Sequence, residues 1–150
     1  TVGGIANGRT MAAALTLGAA GVMMASRFIA TKECQVHDNI KQELVRKQEF
    51  NTTLYGQTLG LQGRALKSKI IEEVISIEAR KGGFEEIIPL ISGQRVKEAW
   101  EKGLVDFAPL MVGQSIGLIH NVVSCAELLE TMSAEAAECL AAANKQVVKN

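Results

Sequence analysis

The chain has 150 residues, of which 47% are hydrophobic, and its 16 basic side chains balance its 16 acidic ones. This length is typical of one domain with a sizeable core, and the balanced charge argues against a nucleic-acid partner. Two histidines are too few for a metal cluster, and three cysteines without paired spacing are expected to be free thiols in a reducing cytoplasm. Gly18 and Gly21 interrupt the apolar stretch around them, so no membrane-spanning segment is expected.

The first 33 residues have the order of a strand, a helix and a second strand. The pair Gly3-Gly4 ends the first strand, a helix is predicted over Thr10–Leu17, and the apolar run Val22–Ala25 predicts a strand covered on both faces. Glycines let a backbone approach an anion closely, and the first amides of the helix are expected to point to the same place. This pattern predicts a phosphate site like the one that follows the last two strands of a (β/α)₈ barrel.

A complete barrel of that kind needs about 250 residues. The first predicted strand already ends at Gly4, so we expect that strand to begin before Thr1. We therefore expect the chain to be the C-terminal part of a longer protein.

The remainder of the chain is predicted to be mostly helical. Arg27 and Phe28 are expected to begin a loop, Asn51–Tyr55 has β character, and a long irregular loop extends from there to Gly63. A short helix or turn is expected before Pro89. The longer helices are predicted at Asp38–Lys47, Ala65–Arg80 and Ser92–Lys102, and from a capping box at Ser124 to about Ala143.

Three smaller expectations concern individual residues. Residues 144–150 are expected to fray at the end of the last helix. Met23, Met24 and Met111 are expected to fill the core. Arg64 either pairs locally or faces the mouth of an active site, and the sequence leaves both open.

Three segments resemble the nitronate monooxygenase family, also called 2-nitropropane dioxygenases, and the resemblance extends over nearly the whole chain. The segments are Gly3–Arg9, Met24–Thr31 and Val112–Ile119. The flavin-dependent enoyl-ACP reductases belong to the same group. The chain departs from the family pattern at Met23, Ala25 and Ser26, where the family often has Gln, Gly and Thr.

The resemblance implies an α/β fold, the C-terminal portion of a TIM (β/α)₈ barrel. Residues 1–33 would contain the last βα unit, the last strand and the phosphate site. Residues 34–150 would form a mostly helical C-terminal region. The cofactor would be FMN, and the positions that match the family's phosphate grip are Gly3, Gly4, Met23, Met24, Ala25 and Ser26. Gln114 is a possible contact to substrate or flavin, although it could equally satisfy loop backbone.

The implied reaction is oxidation of an alkyl nitronate by O₂, or, in the sister group, reduction of an enoyl thioester by NAD(P)H. The family's catalytic histidine lies in a glycine-rich segment upstream of this region. Neither His37 nor His120 lies in such a motif, so no catalytic residue is assigned within the chain.

The alternatives from other classes are an inactive truncated fragment and an enzyme of the inosine monophosphate dehydrogenase group, which has a similar Gly-Gly-Ile unit. A homo-oligomer is also possible.

Overall fold

A computed structural model describes residues 1–60 and 62–147 of the chain. Within these residues the fold is α/β, with one two-stranded sheet and a helical C-terminal region. The helices are α1 Gly8–Thr16, α2 Ser26–Ile29, α3 Asp38–Arg46, α4 Lys69–Ala79, α5 Phe84–Ile91, α6 Gly93–Lys102 and α7 Cys125–Val147. Two 3₁₀ turns lie at Glu49–Asn51 and Gln114–Leu118.

The two strands form an antiparallel hairpin, of which only the first strand and the connecting loop are predicted from the sequence. Strand β1, Thr52–Tyr55, pairs with β2, Gly63–Leu66, so that Tyr55 lies opposite Gly63. A Cβ atom on Gly63 would come within 3.0 Å of the Tyr55 ring, so this glycine gives the ring its space. The predicted β character is confirmed for Thr52–Tyr55. The described residues between the strands, 56–60 and 62, form the predicted loop, which ends before Gly63 because that residue begins β2.

Helix α4 begins later than predicted. The predicted start at Ala65 is wrong because Ala65 and Leu66 lie in β2, where both side chains are fully buried. A short apolar run does not distinguish a buried strand from a buried helix turn. The strand ends at Leu66, Ser68 has an extended backbone, and the helix begins at Lys69.

Helix α5 continues through Pro89, so the predicted end before that residue is wrong. Proline removes one helical hydrogen bond. Ile87 is fully buried in the same core cluster against which Leu90 and Ile91 pack, and this burial on both sides of the proline offsets the loss.

The buried residues form two clusters. One is built on the hairpin and on helices α4 and α5. The other contains Ala6 and Ala30 together with Ile40, Leu44 and Ile116, so it joins the first 33 residues to the chain that follows. The division between residues 33 and 34 stays a prediction.

Helix α7 packs along α1 and is longer than predicted. Leu128, Met132 and Ala136 are its buried residues, spaced one turn apart. The helix extends past Ala143 to Val147, so the predicted fraying is wrong up to that point, and residues 148–150 lie outside the described residues. No helix within the described residues is both long and apolar enough to cross a membrane.

Two predictions for the first 33 residues are also wrong. Val22–Ala25 forms no strand of its own in the described chain, because it has only a single backbone bridge, to Val2. Ser26 begins the short helix α2 in place of the predicted loop at Arg27 and Phe28.

Candidate functional site

The backbone at the start of the chain runs parallel to the backbone around Met23. The Met23 amide donates to the Thr1 carbonyl over 2.8 Å, and Val2 forms a parallel bridge with Met23. The N-terminal ammonium of Thr1 donates to the Gly21 carbonyl over 2.7 Å. Carboxyl ends of parallel segments lie at the same edge of a sheet. The chain therefore continues from this edge into Gly3-Gly4 on one side and into Met24-Ala25-Ser26 on the other.

Gly3 and Gly4 adopt a backbone conformation that suits glycine. Their φ angles are +90° and +75°, in the left-handed region. A Cβ atom at either position would meet nothing within 4 Å, so packing does not require glycine here. The pair also borders an open cleft of about 580 Å³ along α1. The glycines thus leave backbone accessible to a ligand.

Several amides at this edge have no partner in the protein. Within residues 1–60 and 62–147, the amides of Gly4, Ala25 and Ser26 donate to no protein acceptor. Ala25 is exposed, whereas Ser26 is buried, with 8% of its surface accessible. The Ser26 Oγ accepts a hydrogen bond from the Gly113 amide at 3.0 Å. Open amides beside a glycine pair are the donors that a phosphate group requires.

The amides of Gly8 and Thr10 in the first turn of α1 have partners within the protein, so the prediction that they face the phosphate is wrong for these two residues. The Gly8 amide donates to the Glu135 carboxylate at 2.6 Å, and the Asn7 side chain accepts from the Thr10 amide at 3.0 Å. A carboxylate of this chain therefore already occupies the helix end that favours an anion. Glu135 lies 127 residues from Gly8 along the chain, and no local pattern indicates such a contact.

Two of the predicted methionines are exposed, against the expectation that they fill the core. The exposed fraction is 63% for Met23 and 58% for Met111, while Met24 is half-buried. Each of the two exposed side chains belongs to a residue with one isolated backbone bridge, so neighbouring strands do not cover it. Gln114 is exposed as well, and it opens a 3₁₀ turn directly after Gly113.

The two histidines lie in different surroundings. The His37 Nδ1 atom accepts from the Asn39 amide at 3.1 Å and so caps α3. His120 is exposed and borders a cavity of about 280 Å³. Arg64 pairs locally, because it donates to the Thr52 hydroxyl over 2.8 Å.

Sequence reasoning gave no role to Arg27, which is only 4% exposed. It donates to the side-chain and backbone oxygens of Asn121, over 2.8 and 3.0 Å, and burial lowers its pKa. This contact ties α2 to the segment before α7. The apolar residues Phe28 and Ile29 that follow Arg27 are the signal in the sequence for its burial.

Comparison with known proteins identifies the family. The chain is 31% identical to FabK from Thermotoga maritima, with a TM-score of 0.88 over 97% of this chain and 46% of that one. It is 26% identical to nitroalkane oxidase from Streptomyces ansochromogenes, with a TM-score of 0.74 over 94% and 40% of the two chains. A probable nitronate monooxygenase of Bacillus subtilis is 29% identical over 89% of this chain and 38% of its own length.

The chain thus spans less than half the length of each of these relatives. The sequence model of the nitronate monooxygenase family matches residues 1–135. The chain belongs to the nitronate monooxygenase family.

Proposed function

We propose that this chain supplies the phosphate-binding edge of an FMN-dependent oxidoreductase of the nitronate monooxygenase type. The observation that carries the proposal is the pair of parallel segments whose ends present Gly3-Gly4 and the open amides of Ala25 and Ser26. In the whole protein these segments would be the last two strands of a (β/α)₈ barrel. The helical region that begins at residue 34 would lie against this barrel, in a protein of the cytoplasm.

The residues at this edge fit a phosphate monoester. Backbone amides provide hydrogen bonds without a charged side chain, and the left-handed glycines keep side chains out of the space above Gly3 and Gly4. Ala25 carries a methyl group where the family often has glycine, and this methyl is expected to weaken the grip rather than abolish it. The flavin ring of FMN, when bound, supplies the redox chemistry.

The chain's own residues would bind and orient the cofactor rather than move a proton. Proton abstraction needs a base within hydrogen-bond reach of the substrate. His37 caps a helix, and His120 borders a different cavity from the cleft that Gly3 and Gly4 line. The proposal therefore assigns the base to residues outside this chain and no catalytic role to these histidines.

The substrate of the main proposal is an alkyl nitronate, with O₂ as the oxidant. The matched family and the probable nitronate monooxygenase from Bacillus subtilis favour it. The alternative is reduction of an enoyl thioester by NAD(P)H, for which the similarity to FabK is the specific support. An inactive fragment is the alternative of another class.

One pair of assays separates these functions. The chain is produced together with any sequence that its gene encodes before Thr1, and O₂ uptake with a nitronate is compared with NAD(P)H oxidation by an enoyl thioester. Nitronate-dependent O₂ uptake is the expected result. Thioester-dependent NAD(P)H oxidation would favour the reductase, and a stop codon directly upstream with neither activity would favour the inactive fragment.

A further inference from the structure

The Ser26 hydroxyl connects the proposed phosphate edge with a distant part of the chain. Its Oγ accepts from the amide of Gly113, which lies 87 residues later, at 3.0 Å. Ser26 is 8% exposed, so water competes little for this contact. The hydrogen bond therefore holds the backbone at Gly113 beside the start of α2.

The segment that contains Gly113 is fixed on its other side by the hairpin. The Leu66 amide donates to the Leu110 carbonyl at 2.9 Å, and Met111 forms an antiparallel bridge with Ala65. Gly113 caps the 3₁₀ turn that begins at Gln114. The position of Gln114 thus depends on two attachments, one to β2 and one to Ser26.

The hydroxyl has a proton that the protein does not use. A serine hydroxyl has one proton to donate and two lone pairs that can accept. The Gly113 amide occupies one acceptor position, and among the residues that the structure describes no acceptor takes the proton. Ser26 lies next to the open amide of Ala25, so a phosphate oxygen bound there would be the natural acceptor.

We propose that Ser26 is a positioning residue that links phosphate binding to the Gly113-Gln114 turn. A phosphate oxygen that accepts the hydroxyl proton would polarise Oγ and strengthen its bond to the Gly113 amide. Occupation of the phosphate edge would thereby order the turn that carries Gln114. This inference rests on the proposed phosphate site, and its test is designed to fail separately from that site.

The test is hydrogen exchange and amide shift mapping by NMR on the ¹⁵N-labelled 150-residue chain. Ser26→Ala is expected to speed exchange of the Gly113 amide about tenfold, the effect of losing one hydrogen bond. Ser26→Thr keeps the hydroxyl and should retain protection. Ser124→Ala, which removes a hydroxyl that accepts from the Glu127 amide, is the matched control and should leave Gly113 unchanged. Unchanged exchange at Gly113 in Ser26→Ala would overturn the link.

The second readout is titration with inorganic phosphate at constant ionic strength. In the unmodified chain the amides of Gly4, Ala25 and Gln114 should shift together. In Ser26→Ala, Gly4 and Ala25 should still respond while the shift at Gln114 is lost. An equal shift of the Gln114 amide in both proteins would overturn the positioning role of Ser26 and leave the proposed phosphate site standing. The absence of any response at Gly4 and Ala25 overturns the proposed phosphate site itself.

Discussion

Replacing Gly8 by alanine should destabilise the protein strongly, because α1 and α7 approach each other closely at this residue. A Cβ atom at Gly8 would lie 2.5 Å from the Met132 carbonyl oxygen and 2.7 Å from the Ala136 amide nitrogen. Both are backbone atoms of α7, so no side-chain rotation relieves the contact. The helices must separate, and overpacking of this kind costs about 1–3 kcal/mol.

Separation of the helices also weakens the hydrogen bond from the Gly8 amide to Glu135, which is 2.6 Å long. Hydrogen bonds to charged groups contribute about 1.5–3 kcal/mol. Alanine gains at most about 1 kcal/mol over glycine in a helix. We therefore expect a net loss of about 3 kcal/mol in the free energy of unfolding, or roughly 6–12 °C in Tm for a chain of this size.

Gly93→Ala is the matched control for this substitution. Gly93 is the first residue of α6, as Gly8 is of α1, but a Cβ atom at Gly93 would meet nothing within 4 Å. Its free energy of unfolding should change by less than about 0.5 kcal/mol. Urea unfolding followed by circular dichroism measures both variants. Equal stabilities of Gly8→Ala and Gly93→Ala would refute the close contact of α1 with α7.

Other contacts give three more predictions. Gly103→Ala should lower the free energy of unfolding by about 1–2 kcal/mol, because Gly103 has a φ of +69° and its Cβ would press on the His37 ring. An unchanged free energy in urea unfolding would contradict this geometry. Burial opposes ionisation of Glu78, but hydrogen bonds from the Thr58 and Gly56 amides outweigh it and hold its pKa below its ordinary value. The stabilisation is therefore present above about pH 4.5 and is lost as the pH falls through the lowered pKa. Glu78→Gln should lower the free energy of unfolding by about 1 kcal/mol at pH 7 and by progressively less in acid. A difference in the free energy of unfolding that does not change with pH would disprove the assignment. Finally, the 150-residue chain should retain no flavin absorbance after desalting and show no nitronate-dependent O₂ uptake, because a few phosphate contacts do not offset the entropy of binding. A yellow, active sample would require a base within this chain, and His120 would be the first residue to replace.

Local signals predicted much of the helical region. The helix predicted at Ser92–Lys102 is α6, although Ser92 caps it and Gly93 is its first residue. The Ser124 capping box begins α7 as expected. Each of these signals acts within three or four residues, so the sequence carries it directly. The predicted helix at Asp38–Lys47 is confirmed for the same reason, apart from its last residue.

The features that sequence reasoning missed depend on distant partners. The β1–β2 hairpin needs the cross-strand fit of Tyr55 to Gly63, and the end of α1 is occupied by Glu135. The candidate site was only partly predictable for the same reason. Its glycines are visible in the sequence, whereas the link from Ser26 to Gly113 requires the folded chain.

The central claim is that Gly3-Gly4 and Ala25-Ser26 form a phosphate-binding edge, and two glycine variants test it most directly. Gly4 and Gly60 have similar φ angles, +75° and +66°, and a Cβ at either would meet nothing within 4 Å. Gly4→Ala and Gly60→Ala should therefore lose similar stability, about 1–2 kcal/mol each.

The measurement is titration of the ¹⁵N-labelled variants with inorganic phosphate, followed through the amide shifts of Ala25. We expect a Kd for phosphate on the order of millimolar for the unmodified chain and for Gly60→Ala. Gly4→Ala should bind phosphate at least about tenfold more weakly, the effect of losing about one hydrogen bond to a charged group. Equal binding by Gly4→Ala and Gly60→Ala would contradict the account.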